Sequence, residues 1–153
     1  MTAHLAVLDQ THAVYVEKAD SPGFVKMDTW VGKRMELHST AIGKVLLAWM
    51  PAPEVTALLK GHSFKRRTPK TITTHAGLLQ ELDRVRVRGY GMDDEENSLA
   101  ARCIAAPVLD QFGRAIEAVG LSGTTGQLDK ASIRKVKEMV QEAARDIARR
   151  SRP

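Results

Sequence analysis

Short apolar runs broken by turn residues near both ends, several apolar helical patterns, and the lack of regular strand–helix–strand alternation predict an α+β domain. Its sheet is expected to be antiparallel, with helices packed on it. The length agrees, because 153 residues suffice for one core that buries about two thirds of the unfolded chain's surface. Hydrophobic residues at 43% and charged ones at 27% exclude a disordered or fibrous chain.

The elements follow in order. Leu5 to Leu8, Ala13 to Val16 and Phe24 to Trp30 are strand candidates, the first two joined as a hairpin across Asp9-Gln10-Thr11-His12. Asp20-Ser21-Pro22-Gly23 is a turn before the third. Ala41 to Met50 reads as a helix capped by Ser39 or Thr40 and stopped by Pro51; being apolar on nearly all sides, it belongs in the interior. A short helix from Pro53 or Glu54 to Lys60 stops at Gly61, and His62 to Thr74 is a polar loop. Leu78, Leu82 and Val85 mark an amphipathic helix from His75 to Arg88 that Gly89 terminates. Tyr90 to Asp93, Arg102 to Leu109 and Arg114 to Ser122 are further strands, the last two joined by Asp110-Gln111-Phe112-Gly113. Ile133, Val136, Val140, Ala144 and Ile147 define a closing helix from Asp129 to about Arg149.

The net charge of +5 can favour polyanions. Its basic clusters, Lys65-Arg66-Arg67 and Arg149-Arg150 with Arg152, lack the interleaved aromatics of a nucleic-acid module and read as solvated surface. One cysteine, Cys103, forms no internal disulfide, and no Cys or His pair has zinc-ligand spacing, so no metal or cofactor is expected. Neither a signal peptide nor a membrane span is visible, and a cytoplasmic location is expected.

Asp93-Asp94-Glu95-Glu96 is the densest acidic cluster. A cation site, acid–base catalysis and a polar loop over a pocket compete for it; the spaced ligands and sharp glycine turn of a hard-cation loop are missing, which favours the plain reading of a solvated strand-to-loop junction. Cys103 lies in an apolar strand where a free thiol behaves as a small hydrophobe. The scattered His4, His12, His38, His62 and His75 read as caps, turn residues or surface side chains, with His38 set apart because it precedes the buried helix. That helix start has free N–H groups and the positive end of the dipole, an anchoring point for a carboxylate or phosphate, although simple capping explains Ser39 and Thr40 equally well.

The run His38-Ser39-Thr40-Ala41-Ile42-Gly43-Lys44-Val45-Leu46-Leu47-Ala48 resembles a signature of IclR-type transcriptional regulators. Thr68-Pro69 with Thr71-Ile72-Thr73, Arg88-Gly89-Tyr90 leading into Asp93 to Glu96, Arg102 to Val108, and Leu121-Ser122-Gly123 follow in that family's order, so the likeness runs from His4 to about Arg149. The resemblance implies a GAF/PAS-like curved antiparallel sheet with helices packed on both sides. It implies residues 1–153 as a single effector-binding domain that assembles as a homo-oligomer, dimer or tetramer. DNA would be contacted only through an N-terminal winged helix-turn-helix, which this chain lacks.

By the same resemblance the effector is a small organic or aromatic acid, with Ala41, Ile42, Gly43, Asp93, Ala101, Cys103, Gly120 and Ser122 as ligand-binding candidates and no catalytic residue. Similar domains that take small 2-oxo acids tend to carry a hydroxyl in place of Gly120 and a smaller residue in place of Ile42, a pattern from which this chain departs. Bulk at Gly43 is expected to abolish binding and leave the fold intact. The alternatives are a GAF-like cysteine-dependent enzyme and an oligomerisation module without a ligand.

Overall fold

The computed structural model describes residues 1–151; Arg152, placed above in a basic cluster, lies outside them. Ten elements follow one another: β1 (Thr2–Asp9), β2 (His12–Asp20), β3 (Arg34–Met35), α1 (Ala41–Ala48), α2 (Ala52–Leu58), α3 (His75–Arg88), β4 (Gly91–Asp94), β5 (Ala101–Leu109), β6 (Ala115–Thr124) and α4 (Lys130–Arg150). The strands form one antiparallel sheet in the order β3-β2-β1-β6-β5-β4.

Both faces of this sheet are covered. Against one, α1 and α3 bury Val45, Leu46, Leu47, Leu78 and Leu82 over Ala6, Ala13, Ala105 and Ala118. Against the other, α4 buries Val136, Val140 and Ala144 over Ile104, Ala106 and Val108. Alternate residues of each strand therefore enter different cores, as period-two side chains require.

All eight residues of α1 are buried, in keeping with its apolar sequence, and Thr40 caps it by accepting the Gly43 N–H at 3.1 Å. Thr74 and Asp129 cap α3 and α4 in the same way, and Gly89 ends α3 in the left-handed region at φ 80°. The segment Phe24 to Trp30 corrects the expected third strand: it is irregular, with Phe24 and Val25 exposed. The physical reason is polar. Thr29 bonds His4 Nε2 through its hydroxyl at 2.7 Å and accepts Lys18 Nζ at its carbonyl at 2.8 Å, which bends the segment over the sheet face instead of along its edge.

Candidate functional site

Strand register sets up the site. Thr2 of β1 pairs with Ser122 of β6, Ser122 with Cys103 of β5, and Cys103 with Asp93 of β4, so four polar or polarisable side chains stand in one row on the α1 face. The neighbouring row runs His4, Gly120, Ala105 and Gly91. Its small members admit the start of α1: a Cβ on Gly91 would sit 2.7 Å from the Ala41 carbonyl oxygen, and one on Gly120 would sit 3.2 Å from Ile42 Cγ2.

Between these rows, the start of α1 and the bent Met27–Thr29 segment lies a cavity of about 230 Å³. At about 30 Å³ for each water in the liquid, this is room for roughly eight waters or one small molecule. Of the residues expected from the sequence, Ala41, Ile42, Asp93, Ala101, Cys103, Gly120 and Ser122 line it together. Gly43 does not. The position of its missing Cβ is filled by backbone, 2.5 Å from Leu37 Cα and 2.7 Å from the Glu36 and Leu37 carbonyl oxygens, so bulk there disrupts packing, and the expectation of an intact fold is corrected.

Other lining residues were not expected, chiefly His4, Tyr15, Thr29, Lys33 and Asn97. The His4 ring stacks on Tyr15 at 4.1 Å between centroids and is buried, which corrects its reading as a surface, turn or capping residue. Burial, aided by Lys18, lowers its pKa to about 4, so at neutral pH it is an uncharged hydrogen-bonding group on the cavity wall.

The acidic cluster forms a polar loop beside the cavity, in which Asp93 is buried while Asp94 and Glu95 stay partly exposed. Asp93 Oδ1 accepts the Glu96 and Asn97 N–H groups, Asp94 pairs with Arg102 at 2.8 Å, and Glu95 pairs with Lys70 at 2.9 Å. Glu96 meets the fully buried Lys44 at 2.7 Å, and Lys44 also donates to the Met92 carbonyl. Thr68 and Thr71 donate to the Glu95 and Glu96 carbonyls, each at 2.6 Å, and this fixes the turn beside the cavity. The four carboxylates thus point to separate partners and not to one ion.

Burial raises the Asp93 carboxyl from 3.8 to about 7, against the pull of its two backbone donors. A group raised on folding binds more protons in the native state than in the unfolded chain; its stabilising contribution is complete below about pH 4 and is lost as pH rises towards 7. Asp93→Asn keeps an acceptor for both N–H groups and removes the titration. In urea unfolding, wild type is expected to lose on the order of 2 kcal/mol relative to this variant between pH 5 and pH 8. Parallel pH profiles would contradict the raised Asp93.

Residues 1–149 match the family profile described as bacterial transcriptional regulator IclR C-terminal. The regulator KdgR of Escherichia coli is 44% identical over 147 residues, which cover 96% of this chain and 56% of that protein. The chain spans less than two thirds of the length of the curated relatives it matches. The crystal structure of the Thermotoga maritima IclR superposes with a TM-score of 0.91 at 34% identity, over 97% of this chain and 60% of that one. The inducer-binding domain of PobR from Acinetobacter, a double mutant solved in complex with 3-hydroxybenzoic acid, superposes with a TM-score of 0.86 at 29% identity, over 96% and 87% of the two chains.

Proposed function

The chain belongs to the IclR family of bacterial transcriptional regulators, and on that premise we propose that residues 1–153 are a single domain that senses a small organic or aromatic acid and controls DNA binding by an attached helix-turn-helix domain. The observation that carries this reading is the cavity at the start of α1. The first N–H groups of a helix have no intrahelical partner. Thr40 takes that of Gly43, while Ala41 and Ile42 remain on the cavity wall at the positive end of the helix dipole, where an anion is favoured.

Around that anchor the wall offers His4, Asp93, Asn97 and Ser122 for hydroxyls, and Tyr15, Ile42 and Met35 for an apolar or aromatic body. The PobR domain bound to an aromatic acid supports this ligand class. Binding shifts the equilibrium between arrangements of a dimer or tetramer by its differential affinity for them, and so changes the spacing of the DNA-binding domains. Exposed Phe24, Val25, Trp30 and Val31 supply apolar surface for that assembly.

Catalysis is not part of the proposal. Burial pushes the Cys103 thiol up to about 12, away from the thiolate that a nucleophile requires. Among the described residues, no helix is long and apolar enough to cross a membrane, which accords with a regulator acting in the cytoplasm. A thermal-shift panel of small hydroxy, oxo and aromatic acids tests the reading. At least one acid is expected to raise the unfolding temperature, because a ligand of the native state stabilises it by mass action; no shift across the panel would count against a sensor.

A further inference from the structure

On the far side of the segment that leads into α1, Glu36, His38 and His62 each bring one ligand atom to within 4.8 Å of the others. We propose that this cluster binds a divalent transition-metal ion of the zinc class. None of the three lines the effector cavity, so the inference stands apart from the sensing role.

The fully buried His38 sets the geometry. Its Nε2 lies 3.0 Å from the Lys65 carbonyl oxygen, and because a carbonyl only accepts, Nε2 carries the proton and Nδ1 presents its lone pair. A histidine oriented by donating its other nitrogen to the backbone is the usual outer-shell support of a metal ligand. That Nδ1 lies 2.9 Å from His62 Nε2 and 3.9 Å from Glu36 Oε2. A tetrahedral ion with bonds of about 2.0–2.1 Å separates its ligand atoms by about 3.3 Å. The two distances bracket that value, so ring shifts of a few tenths of an ångström admit an ion.

The surroundings agree. Phe64 packs edge-on against both rings, at 5.4 and 4.9 Å between centroids, and Arg67 engages the other Glu36 oxygen, Oε1, leaving Oε2 for the metal. Two imidazoles and one carboxylate suit zinc, whereas calcium and magnesium favour all-oxygen sites. Glu36 and His62 also line a surface cleft with Thr11, His12 and Ser63, through which water reaches the remaining coordination position. With no ion bound, the His62 Nε2–H donates to His38 Nδ1; to bind the metal, His62 takes its other neutral tautomer, with the proton moved to Nδ1 and the Nε2 lone pair turned to the ion. Binding would clamp residues 36–38 to the loop through 62–65.

Chelator-treated protein titrated with Zn²⁺ in a calorimeter is expected to bind one equivalent and to unfold about 3 °C higher. Co²⁺ is expected to give the visible bands of a four-coordinate nitrogen–oxygen site without a thiolate charge-transfer band. His62→Ala, at the more exposed histidine, and Glu36→Gln should each weaken zinc binding by at least about tenfold, and Cys103→Ser should leave it unchanged. The Co²⁺ spectrum of the unmodified protein needs no variant to fold. The proposal is overturned by no saturable zinc binding below about 100 µM, by equal affinity in folded His62→Ala, or by a thiolate band that Cys103→Ser removes.

Discussion

Glu96→Ala is expected to destabilise the domain by about 3–5 kcal/mol, the cost of leaving a buried charge without its partner. Lys44 lies on α1 with its side chain fully buried, and Glu96 holds its ammonium with both carboxylate oxygens, at 2.7 and 2.8 Å. Glu81 cannot take over. Its nearer oxygen is 3.9 Å from Lys44 Nζ, and the same oxygen already bonds Arg88 at 2.8 Å. Lys44→Met should cost less, because it removes the fully buried charge and leaves Glu96, whose side chain is 14% exposed, nearer to water. Urea unfolding of both variants near pH 7 measures the difference. A loss below about 1 kcal/mol for Glu96→Ala would mean that water reaches the ammonium.

Gly43→Ala carries the second large effect, and two terms oppose each other. In a helix interior, glycine to alanine ordinarily stabilises by about 1 kcal/mol. At this position the new Cβ falls 2.5 Å from Leu37 Cα, and the obstacle is backbone, which cannot swing aside as a flexible side chain can. Overpacking of a tight core costs about 1–3 kcal/mol, and a clash with backbone at 2.5 Å takes the upper end of that range, so after the propensity gain a net loss of about 2 kcal/mol is expected. Thermal unfolding checks it. An unchanged or raised midpoint would show that α1 and residues 36–37 move apart easily enough to admit a methyl group.

Much of the fold is written locally. Residues 41–48 are apolar on nearly every side and do form a fully buried helix, and Gly89 ends α3 at the position predicted for its terminator. Strand identity was legible in β1, β2, β5 and β6, but inward and outward faces were not, because helices cover both sides of the sheet. In β1, Leu5 packs towards α4 while His4 faces the cavity, the reverse of what hydropathy alone would assign. Phe24 to Trp30 has the composition of a strand but no partner; its path depends on bonds from Thr29 to residues on β1 and β2.

The cavity divides in the same way. Ala41 and Ile42 follow from the capped helix start as well as from family likeness, the other expected residues from the likeness alone, and the structure explains their convergence through the β1–β6 pairing of segments more than 110 residues apart. His4, Tyr15 and Lys33 carried no local signal, since their role depends on that pairing and on the bent segment above it. The Glu36–His38–His62 cluster was invisible for a related reason: the His38 to His62 separation of 24 positions fits no local ligand motif, and only the loop after α2 brings the rings together.

The direct measurement of the cavity's purpose is a calorimetric titration of wild type and of Cys103→Leu with the acid that most raises the unfolding temperature. Leucine at position 103 adds bulk on the cavity wall, at the centre of the Asp93–Cys103–Ser122 row. Saturable one-to-one binding to wild type, weakened by at least about tenfold, or about 1.4 kcal/mol, in a folded variant, is the predicted result. Equal affinity in the two proteins would place the ligand elsewhere and contradict the site.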